Sequence, residues 1–189
     1  MLDRRLRPYA GAILNPLVCS SPRWLAPTTV SLVGLASGLW AAYAASQADW
    51  ETALWLFVTN RVLDGVDGLL ARTREIETTS GAYVDFLADM IVYVAVPLGI
   101  ASALDLWAAA AVLIATFAVN VVTWLYPLAP GAKTEVTGLI EGTETMVFFV
   151  AMLAVPDVAE KLMWLMALLV GATAIQRAGV TLVRMNREP

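Results

Sequence analysis

Six segments of about 20 mainly apolar residues follow one another along the chain, with short polar breaks between them. They lie at about 28–46, 52–71, 81–101, 106–128, 138–155 and 161–182. A helix of about 20 residues crosses a hydrocarbon core of about 30 Å. The pattern therefore predicts an all-α integral membrane protein with six transmembrane helices.

An amphipathic pattern precedes the first span. Apolar residues recur at helical spacing over 2–17, beginning beside Arg4, Arg5 and Arg7. This pattern favours an N-terminal interfacial helix on an anionic membrane surface, although a basic N-terminus that only follows the topology would also carry these arginines. Because no repeat or linker divides the chain, we predict one domain over 1–189, with a juxtamembrane segment at 1–25 and a six-helix bundle at 26–185.

The basic residues predict the orientation of the bundle, because Lys and Arg are retained on the cytoplasmic side. Six spans place both termini on one side of the membrane. In the loops of the opposite side, Lys161 is the only basic residue. Both termini and the loops at 72–80 and 128–135 are therefore predicted to be cytoplasmic. The basic residues on that side are Arg4, Arg5, Arg7, Arg23, Arg72, Arg74, Lys133, Arg184 and Arg187. Prolines at 8, 16, 22 and 27 argue against a cleavable signal peptide.

Composition narrows the possible functions. The chain has 189 residues, of which 59% are hydrophobic and 15% charged, and its net charge of −4 argues against binding to nucleic acid. Cys19 is the single cysteine and the sequence has no histidine. Disulfides within the chain and Cys/His zinc sites are therefore excluded.

Four aspartates stand out within the second and third predicted spans. Asp64 and Asp67 are three residues apart on one helix face, and Asp85 and Asp89 are four apart on the next helix. A short polar loop joins the two helices, so they run antiparallel as neighbours. We expect the four carboxylates to converge near the cytoplasmic interface.

Converging carboxylates repel one another and are costly to desolvate unless a cation is present. Oxygen ligands suit Mg²⁺, Mn²⁺ or Ca²⁺, and a site for one or two metals indicates chemistry on phosphate. Arg72 could form a forked contact with a phosphate or serve only as a topology anchor. Gly68, Ala71 and Gly81 would allow a ligand, or a neighbouring helix, to approach closely.

Read as one pattern, these residues resemble the signature of the CDP-alcohol phosphotransferase family. The pattern is Asp64-x-x-Asp67-Gly68-x-x-Ala71-Arg72, then eight residues, then Gly81-x-x-x-Asp85-x-x-x-Asp89. The segment 26–31 also resembles the family's Pro-Asn-x-(Val/Leu)-Thr entry to the first helix, with Thr28 and Ser31 as conservative departures.

The resemblance implies metal-dependent transfer of a substituted phosphate from a CDP-linked donor to an alcohol, with release of CMP. It implies that a Mg²⁺ or Mn²⁺ pair is bound by Asp64, Asp67 and Asp85 with help from Asp89, which is also the proposed general base. It further implies that Asp67, Gly68, Ala71, Arg72 and Gly81 contact the nucleotide.

The acceptor is predicted from the fifth span. Glu141 and Glu144 share a helix face there, and intramembrane acids are commonly functional, although these two could also face water at the headgroup level. Family members that accept inositol phosphate carry an arginine pair where this chain has Gly142 and Thr145. We therefore expect a small unphosphorylated alcohol, with Arg177 on the last span as one remaining contact for a phosphorylated acceptor.

The resemblance leaves several alternatives open. The small chain is similar to the bacterial or archaeal branch, which implies a prokaryotic inner membrane and a CDP-diacylglycerol type of donor. The same site could transfer a phospho-alcohol from a CDP-alcohol to diacylglycerol. A divalent-cation transporter is the alternative from another class, although its acids would more often lie at the membrane midplane. Family members often form homodimers, whereas the apolar helix faces suit lipid contact equally well.

Overall fold

The computed structural model describes residues 16, 18, 20–22, 25–125 and 142–186, and the regular structure within these ranges is helical. Most of the predicted N-terminal amphipathic helix and the predicted loop at 128–135 lie outside the described residues. The single-domain assignment over 1–189 stays a prediction. The helices are α1 (Pro27–Ser46), α2 (Trp50–Thr73), α3 (Thr79–Leu104), α4 (Trp107–Leu125), α5 (Gly142–Ala154) and α6 (Ala159–Met185), with a 3-10 turn at Pro156–Val158.

Three stretches of the described residues are long and apolar enough to cross a membrane: α1, α3 and Pro156–Val183, which includes most of α6. Helix α2 has 24 residues but carries charged side chains in its second half, and α5 has only 13 described residues. The all-helical class is thus confirmed, with three candidate membrane spans, while the count of six spans stays a prediction. Large apolar side chains are exposed along every described helix, as lipid contact requires.

Short turns reverse the chain between the first three helices. Asp49 caps α2 by accepting a hydrogen bond from the Thr52 amide at 3.3 Å, and Thr78 caps α3 by accepting one from the Gly81 amide at 3.0 Å. Helix α3 ends at Asp105, which adopts a left-handed conformation with φ 58°. As a result, the start of α1, the end of α2 and the start of α3 lie at the same end of the bundle.

Helix α1 packs against both α2 and α3, and α6 packs against α4 and α5. Four aromatic side chains join these two groups: Phe57 of α2, Tyr93 of α3, Phe117 of α4 and Phe149 of α5. The ring centroids of Phe57 and Phe149 are 5.6 Å apart and those of Tyr93 and Phe149 are 5.7 Å apart. Such distances are favourable for aromatic pairs, so this aromatic cluster links the first three helices to α4 and α5.

Helices α1 and α3 approach closely at two glycines. A Cβ atom on Gly99 would lie 2.2 Å from the backbone oxygen of Ala42, and one on Gly38 would lie 2.4 Å from a methyl group of Val92. The Ala42 contact is with backbone, which cannot move aside as a flexible side chain can. Gly99 therefore sets the distance between α1 and α3 at the end of the bundle opposite the aspartates.

We predict that Gly99→Ala lowers the unfolding free energy by about 1–3 kcal/mol, because the new methyl group would force the helices apart. Gly179→Ala is the matched control, since a Cβ atom there has no neighbour within 4 Å. Thermal unfolding in detergent measures both variants, and the midpoint shifts by about 2–4 °C for each kcal/mol. Equal midpoints for the two variants would show that the α1–α3 crossing tolerates a side chain.

Candidate metal and nucleotide site

Three of the predicted aspartates form a cluster between α2 and α3. Asp64, Asp67 and Asp85 each offer a carboxylate oxygen, and these oxygens all lie within 4.8 Å of one another. Asp67 is buried, with 3% of its surface exposed, and the other two are half-buried. The short reversal between the helices brings these residues together, because it places the last turns of α2 beside the first turns of α3.

Helix α1 contributes to the same cluster. The Ser31 hydroxyl donates a hydrogen bond to Asp67 Oδ2 at 2.5 Å. One turn further along α1, the Gly34 carbonyl accepts a hydrogen bond from the Asn60 side chain at 2.9 Å. These two bonds fix α1 against the acidic face of α2 and orient the carboxylate of Asp67.

Asp89 lies beside the cluster but has a different partner. Its Oδ1 accepts a hydrogen bond from Arg61 Nη2 at 2.6 Å, as part of an ion pair between α3 and α2. All four aspartates nevertheless line one small cavity of about 10 Å³, which is about the space that one water-sized occupant needs. The structure thus brings the four predicted aspartates together, with three forming the tight cluster and Asp89 held by Arg61.

A larger cleft of about 330 Å³ opens next to the cluster. Its lining includes all five residues predicted to contact a nucleotide, namely Asp67, Gly68, Ala71, Arg72 and Gly81. The remaining lining residues come from the start of α1, the α2–α3 turn and the first turns of α3: Pro27, Thr28, Ser31, Ile76, Glu77, Thr78, Ala82 and Asp85. Two members of the aspartate cluster, Asp67 and Asp85, therefore form part of the wall of a cleft lined by three helices.

Gly68 faces this cleft and not a neighbouring helix. A Cβ atom on Gly68 would have the guanidinium group of Arg72 as its nearest neighbour, at 3.5 Å. Gly99 differs, because its nearest neighbour is the backbone of α1. The geometry favours a ligand wall at Gly68 over helix packing. The same comparison places the exposed Arg72 side chain at the cleft, where a guanidinium can bind phosphate oxygens.

The predicted acceptor residues are less closely connected to the cleft. Glu141 lies outside the described residues, and Glu144 is half-buried in the first turn of α5. Arg177 is buried on α6, with 9% of its surface exposed, and donates a hydrogen bond to Asn120 Oδ1 of α4 at 3.1 Å. Among the described residues, the lining of the cleft includes neither Glu144 nor Arg177.

The cluster suits a hard divalent cation. Its ligand atoms are all carboxylate oxygens within 4.8 Å of one another, a distance no larger than the roughly 4–5 Å between opposite oxygen ligands of one such ion. A cation would also offset the cost of desolvating several carboxylates together. Mg²⁺, Mn²⁺ and Ca²⁺ prefer such ligands. The described site can thus hold a metal ion beside a cleft suited to a phosphate-bearing ligand.

Two polar partners of the aspartates were not predicted as site residues. Arg61 lies three residues before Asp64, and this spacing already places it on the acidic face of α2. Its pairing with Asp89 depends on the register between α2 and α3, which helical periodicity within α2 does not specify. Ser31 lies 36 residues from Asp67 in the chain, so its hydrogen bond follows from the packing of α1.

Comparisons with known proteins agree with this geometry. A model of the family described as CDP-alcohol phosphatidyltransferase matches residues 24–176. The chain is 32% identical to the inner membrane protein YnjF of Escherichia coli over 166 residues, which cover 79% of this chain and 80% of YnjF. It is also 32% identical to the CDP-diacylglycerol–serine O-phosphatidyltransferase of Helicobacter pylori over 77 residues, which cover 41% of this chain and 32% of that enzyme.

Solved structures share the fold. The chain is similar to the phosphatidylinositol phosphate synthase PgsA1 of Mycobacterium tuberculosis with CDP-DAG bound, with a TM-score of 0.75, 22% identity and 94% of each chain covered. The same synthase in complex with manganese and citrate gives a TM-score of 0.74, with 93% of this chain and 88% of that chain covered.

Proposed function

Because the chain belongs to the CDP-alcohol phosphatidyltransferase family, and is thus a transferase of substituted phosphate groups, we propose that it moves a phosphatidyl group from a CDP-linked lipid to a small polar alcohol and releases CMP. The observation that carries this proposal is the cleft of about 330 Å³, in which the predicted nucleotide residues adjoin the aspartate cluster.

The donor is proposed to be CDP-diacylglycerol or a close analogue. Two related proteins support this choice: PgsA1 binds CDP-DAG in its structure, and the Helicobacter pylori relative is named for CDP-diacylglycerol as a substrate. In this chain the cytidine diphosphate would occupy the cleft along Gly68, Ala71 and Gly81, with Arg72 beside a phosphate. The exposed apolar helix surface beside the cleft is suited to the acyl chains.

Asp64, Asp67 and Asp85 are proposed to hold Mg²⁺ or Mn²⁺, with Asp89 contributing to a second ion. Manganese in a PgsA1 structure supports a divalent cation in this fold. Such ions, when bound, neutralise charge on the diphosphate and orient it for in-line displacement. Ser31 assists by keeping Asp67 Oδ2 in place through its hydrogen bond.

Asp89 is proposed to be the general base. The oxygen of the acceptor hydroxyl forms a bond with the phosphorus that carries the diacylglycerol, and the bond from that phosphorus to the bridging oxygen of CMP breaks. The hydroxyl proton passes to the Asp89 carboxylate, and CMP leaves with the bridging oxygen. An alcohol has a high pKa, so a carboxylate within hydrogen-bond reach lowers the cost of this step.

The acceptor is proposed to be unphosphorylated, with Glu141 and Glu144 as its contacts. Carboxylates suit an ammonium group or neighbouring hydroxyls and repel a phosphate dianion. The serine acceptor named for the Helicobacter pylori relative is compatible with this choice. Arg177 could instead serve a phosphorylated acceptor, but its described hydrogen bond to Asn120 directs Nη1 toward α4.

We predict that Glu144→Ala raises the KM for the acceptor by about tenfold or more, because the loss of a charged hydrogen bond costs about 1.5–3 kcal/mol. The KM for the CDP-linked donor should change by less than about twofold, since the cleft lining does not include Glu144. Glu160→Ala, which changes an exposed acid at the start of α6, is the matched control. Equal effects on the KM values for acceptor and donor would show that Glu144 of α5 does not select the acceptor.

The membrane arrangement is also a proposal beyond the three apolar stretches described above. We propose six spans, an N-terminal amphipathic helix, and a site that opens to the cytoplasm of a prokaryotic inner membrane, where the acceptor is water-soluble. The inner-membrane relative YnjF supports the location. A homodimer is compatible with the apolar outer faces of the helices.

The test is CMP release by the purified protein in detergent with Mg²⁺ or Mn²⁺ and CDP-diacylglycerol. The acceptor panel is serine, inositol, inositol phosphate, glycerol phosphate, choline and ethanolamine. We expect release with one unphosphorylated acceptor and its loss on chelation. Release only with a phosphorylated acceptor would correct the acceptor class. No release with the panel, but release from CDP-choline or CDP-ethanolamine with diacylglycerol, would reverse the proposed donor and acceptor.

A further inference from the structure

Arg61 lies at the centre of a hydrogen-bonded network between α2 and α3. Its Nε donates to Asn60 Oδ1 at 2.8 Å, its Nη1 to the Tyr93 hydroxyl at 3.1 Å and its Nη2 to Asp89 Oδ1 at 2.6 Å. Only 9% of the side chain is exposed. Arg61 therefore lies inside the protein and does not extend toward the headgroups as an arginine at the membrane interface would.

Two aromatic rings hold the same guanidinium group. Its carbon lies 5.2 Å from the ring centroid of Tyr93 and 5.7 Å from that of Phe57, within the range of cation–π attraction. Asn60 is itself tied to the Gly34 carbonyl of α1. Besides its ion pairs with Asp89 and Asp64, the guanidinium thus contacts the Asn60 oxygen, the Tyr93 hydroxyl and two rings, so its position does not depend on one ion pair.

The arrangement orients the carboxylate of Asp89. Arg61 engages Oδ1, which leaves Oδ2 as the oxygen available to an acceptor hydroxyl. Arg61 also forms an ion pair with Asp64 of the cluster, with Nη1 3.8 Å from Asp64 Oδ2. A positive charge that is shared by Asp89 and Asp64 offsets the repulsion between Asp89 and the clustered aspartates.

We propose that Arg61 is a positioning residue for the transfer reaction: it fixes Asp89 through Oδ1 beside the Asp64–Asp67–Asp85 cluster, with the other oxygen directed at the acceptor. The inference rests on the proposed function, because it gives a geometric basis to the role of Asp89 as base. It extends that function to a residue outside the signature, supported by Asn60, Tyr93 and Phe57.

The kinetic test compares Arg61→Gln and Arg61→Lys with the unaltered protein in the CMP-release assay. Arg61→Gln should lower kcat by about 100-fold, because small displacements of a reacting group have effects of this size. The KM for the donor should stay within about threefold. Arg61→Lys restores a positive charge without the fork and should recover about tenfold of the loss. Lys161→Gln, at an exposed position on α6, controls for the change of net charge.

A second comparison separates positioning from a general structural role. If Arg61 acts through Asp89, adding Arg61→Gln to Asp89→Asn should cause no further loss of kcat, because the two changes disable one unit. Tyr93→Phe removes one acceptor of the guanidinium and should lower kcat by about tenfold. It also provides a folded variant should Arg61→Gln fail to fold. Wild-type kcat in Arg61→Gln, or additive losses in the double variant, would overturn the proposal.

The pairing can be measured without turnover. In the presence of chelator, Arg61→Gln should lower the unfolding midpoint by a few °C, because breaking a partly buried ion pair leaves one charge without its partner. Combining it with Asp89→Asn should restore most of that loss. Absence of coupling would refute the ion pair even if the protein is active. If the unaltered protein releases no CMP while the coupling is present, the proposed function fails and the pairing stands.

Discussion

Replacing Asp89 with asparagine should lower the rate of CMP release by about 10²–10⁴-fold, the range attributed to general acid–base catalysis. Asparagine preserves the shape of the side chain but cannot accept the acceptor's proton. Binding of CDP should weaken by less than about threefold, because the described lining of the proposed nucleotide cleft does not include Asp89. Single-turnover CMP release and isothermal titration with CDP and Mg²⁺ measure the two quantities.

Asp105→Asn provides the control for this experiment. It makes the same chemical change at the opposite end of α3, where the left-handed conformation at φ 58° is well tolerated by asparagine. Activity of this variant should match that of the unaltered protein. Turnover near the normal rate in Asp89→Asn would remove Asp89 as the base. A parallel loss of CDP binding and turnover would instead make it chiefly a ligand of the metal or nucleotide.

Asp67→Asn should weaken metal-dependent CDP binding by about 100-fold or more. Mutation of a residue that only supports a metal ligand typically lowers metal affinity by 10–100-fold. Loss of a ligand itself should therefore lower the affinity at least as much. Asp67 is also the most buried of the three clustered acids and lies in both the small cavity and the larger cleft. Titration with CDP at several Mn²⁺ concentrations would show the loss as a shift in both apparent dissociation constants.

The matched control is Asp49→Asn at the start of the same helix. Asp49 caps α2 through the Thr52 amide, and asparagine is an equally good capping residue. This variant should bind Mn²⁺ and CDP as the unaltered protein does. Unchanged binding in Asp67→Asn would refute its assignment as a metal ligand and would leave its hydrogen bond with Ser31 as a purely structural contact.

Much of the site was predictable from spacing within single helices. The three- and four-residue intervals among Asp64, Asp67, Asp85 and Asp89 place each pair on one face, and the short turn between α2 and α3 forces the faces together. The helical class followed from the apolar segments. Helix α2 shows the limit of that prediction. Because it carries the charged residues of the site, it is not among the three stretches that are apolar enough to span a membrane.

The contacts between distant segments could not be predicted in the same way. The Ser31–Asp67 and Arg61–Asp89 hydrogen bonds join residues 36 and 28 positions apart, and they depend on helix rotation and register. A shift of α3 by one turn would pair Arg61 with another residue and leave the periodicity of every helix unchanged. Gly68 and Gly99 likewise look alike in sequence, although one borders a cleft and the other a backbone.

The four aspartates, Ser31 and Arg72 all lie within the continuous stretch Pro27–Leu104, which forms α1, α2 and α3. A genetic crossover in the turn at 105–106 would therefore exchange α4, α5 and α6 without separating any two of these residues. Helices α4, α5 and α6 from a relative would then have to preserve the aromatic contacts of Phe117 and Phe149 with Phe57 and Tyr93. Recombination between relatives would in this way exchange the proposed acceptor contacts while the proposed metal and nucleotide site is inherited intact.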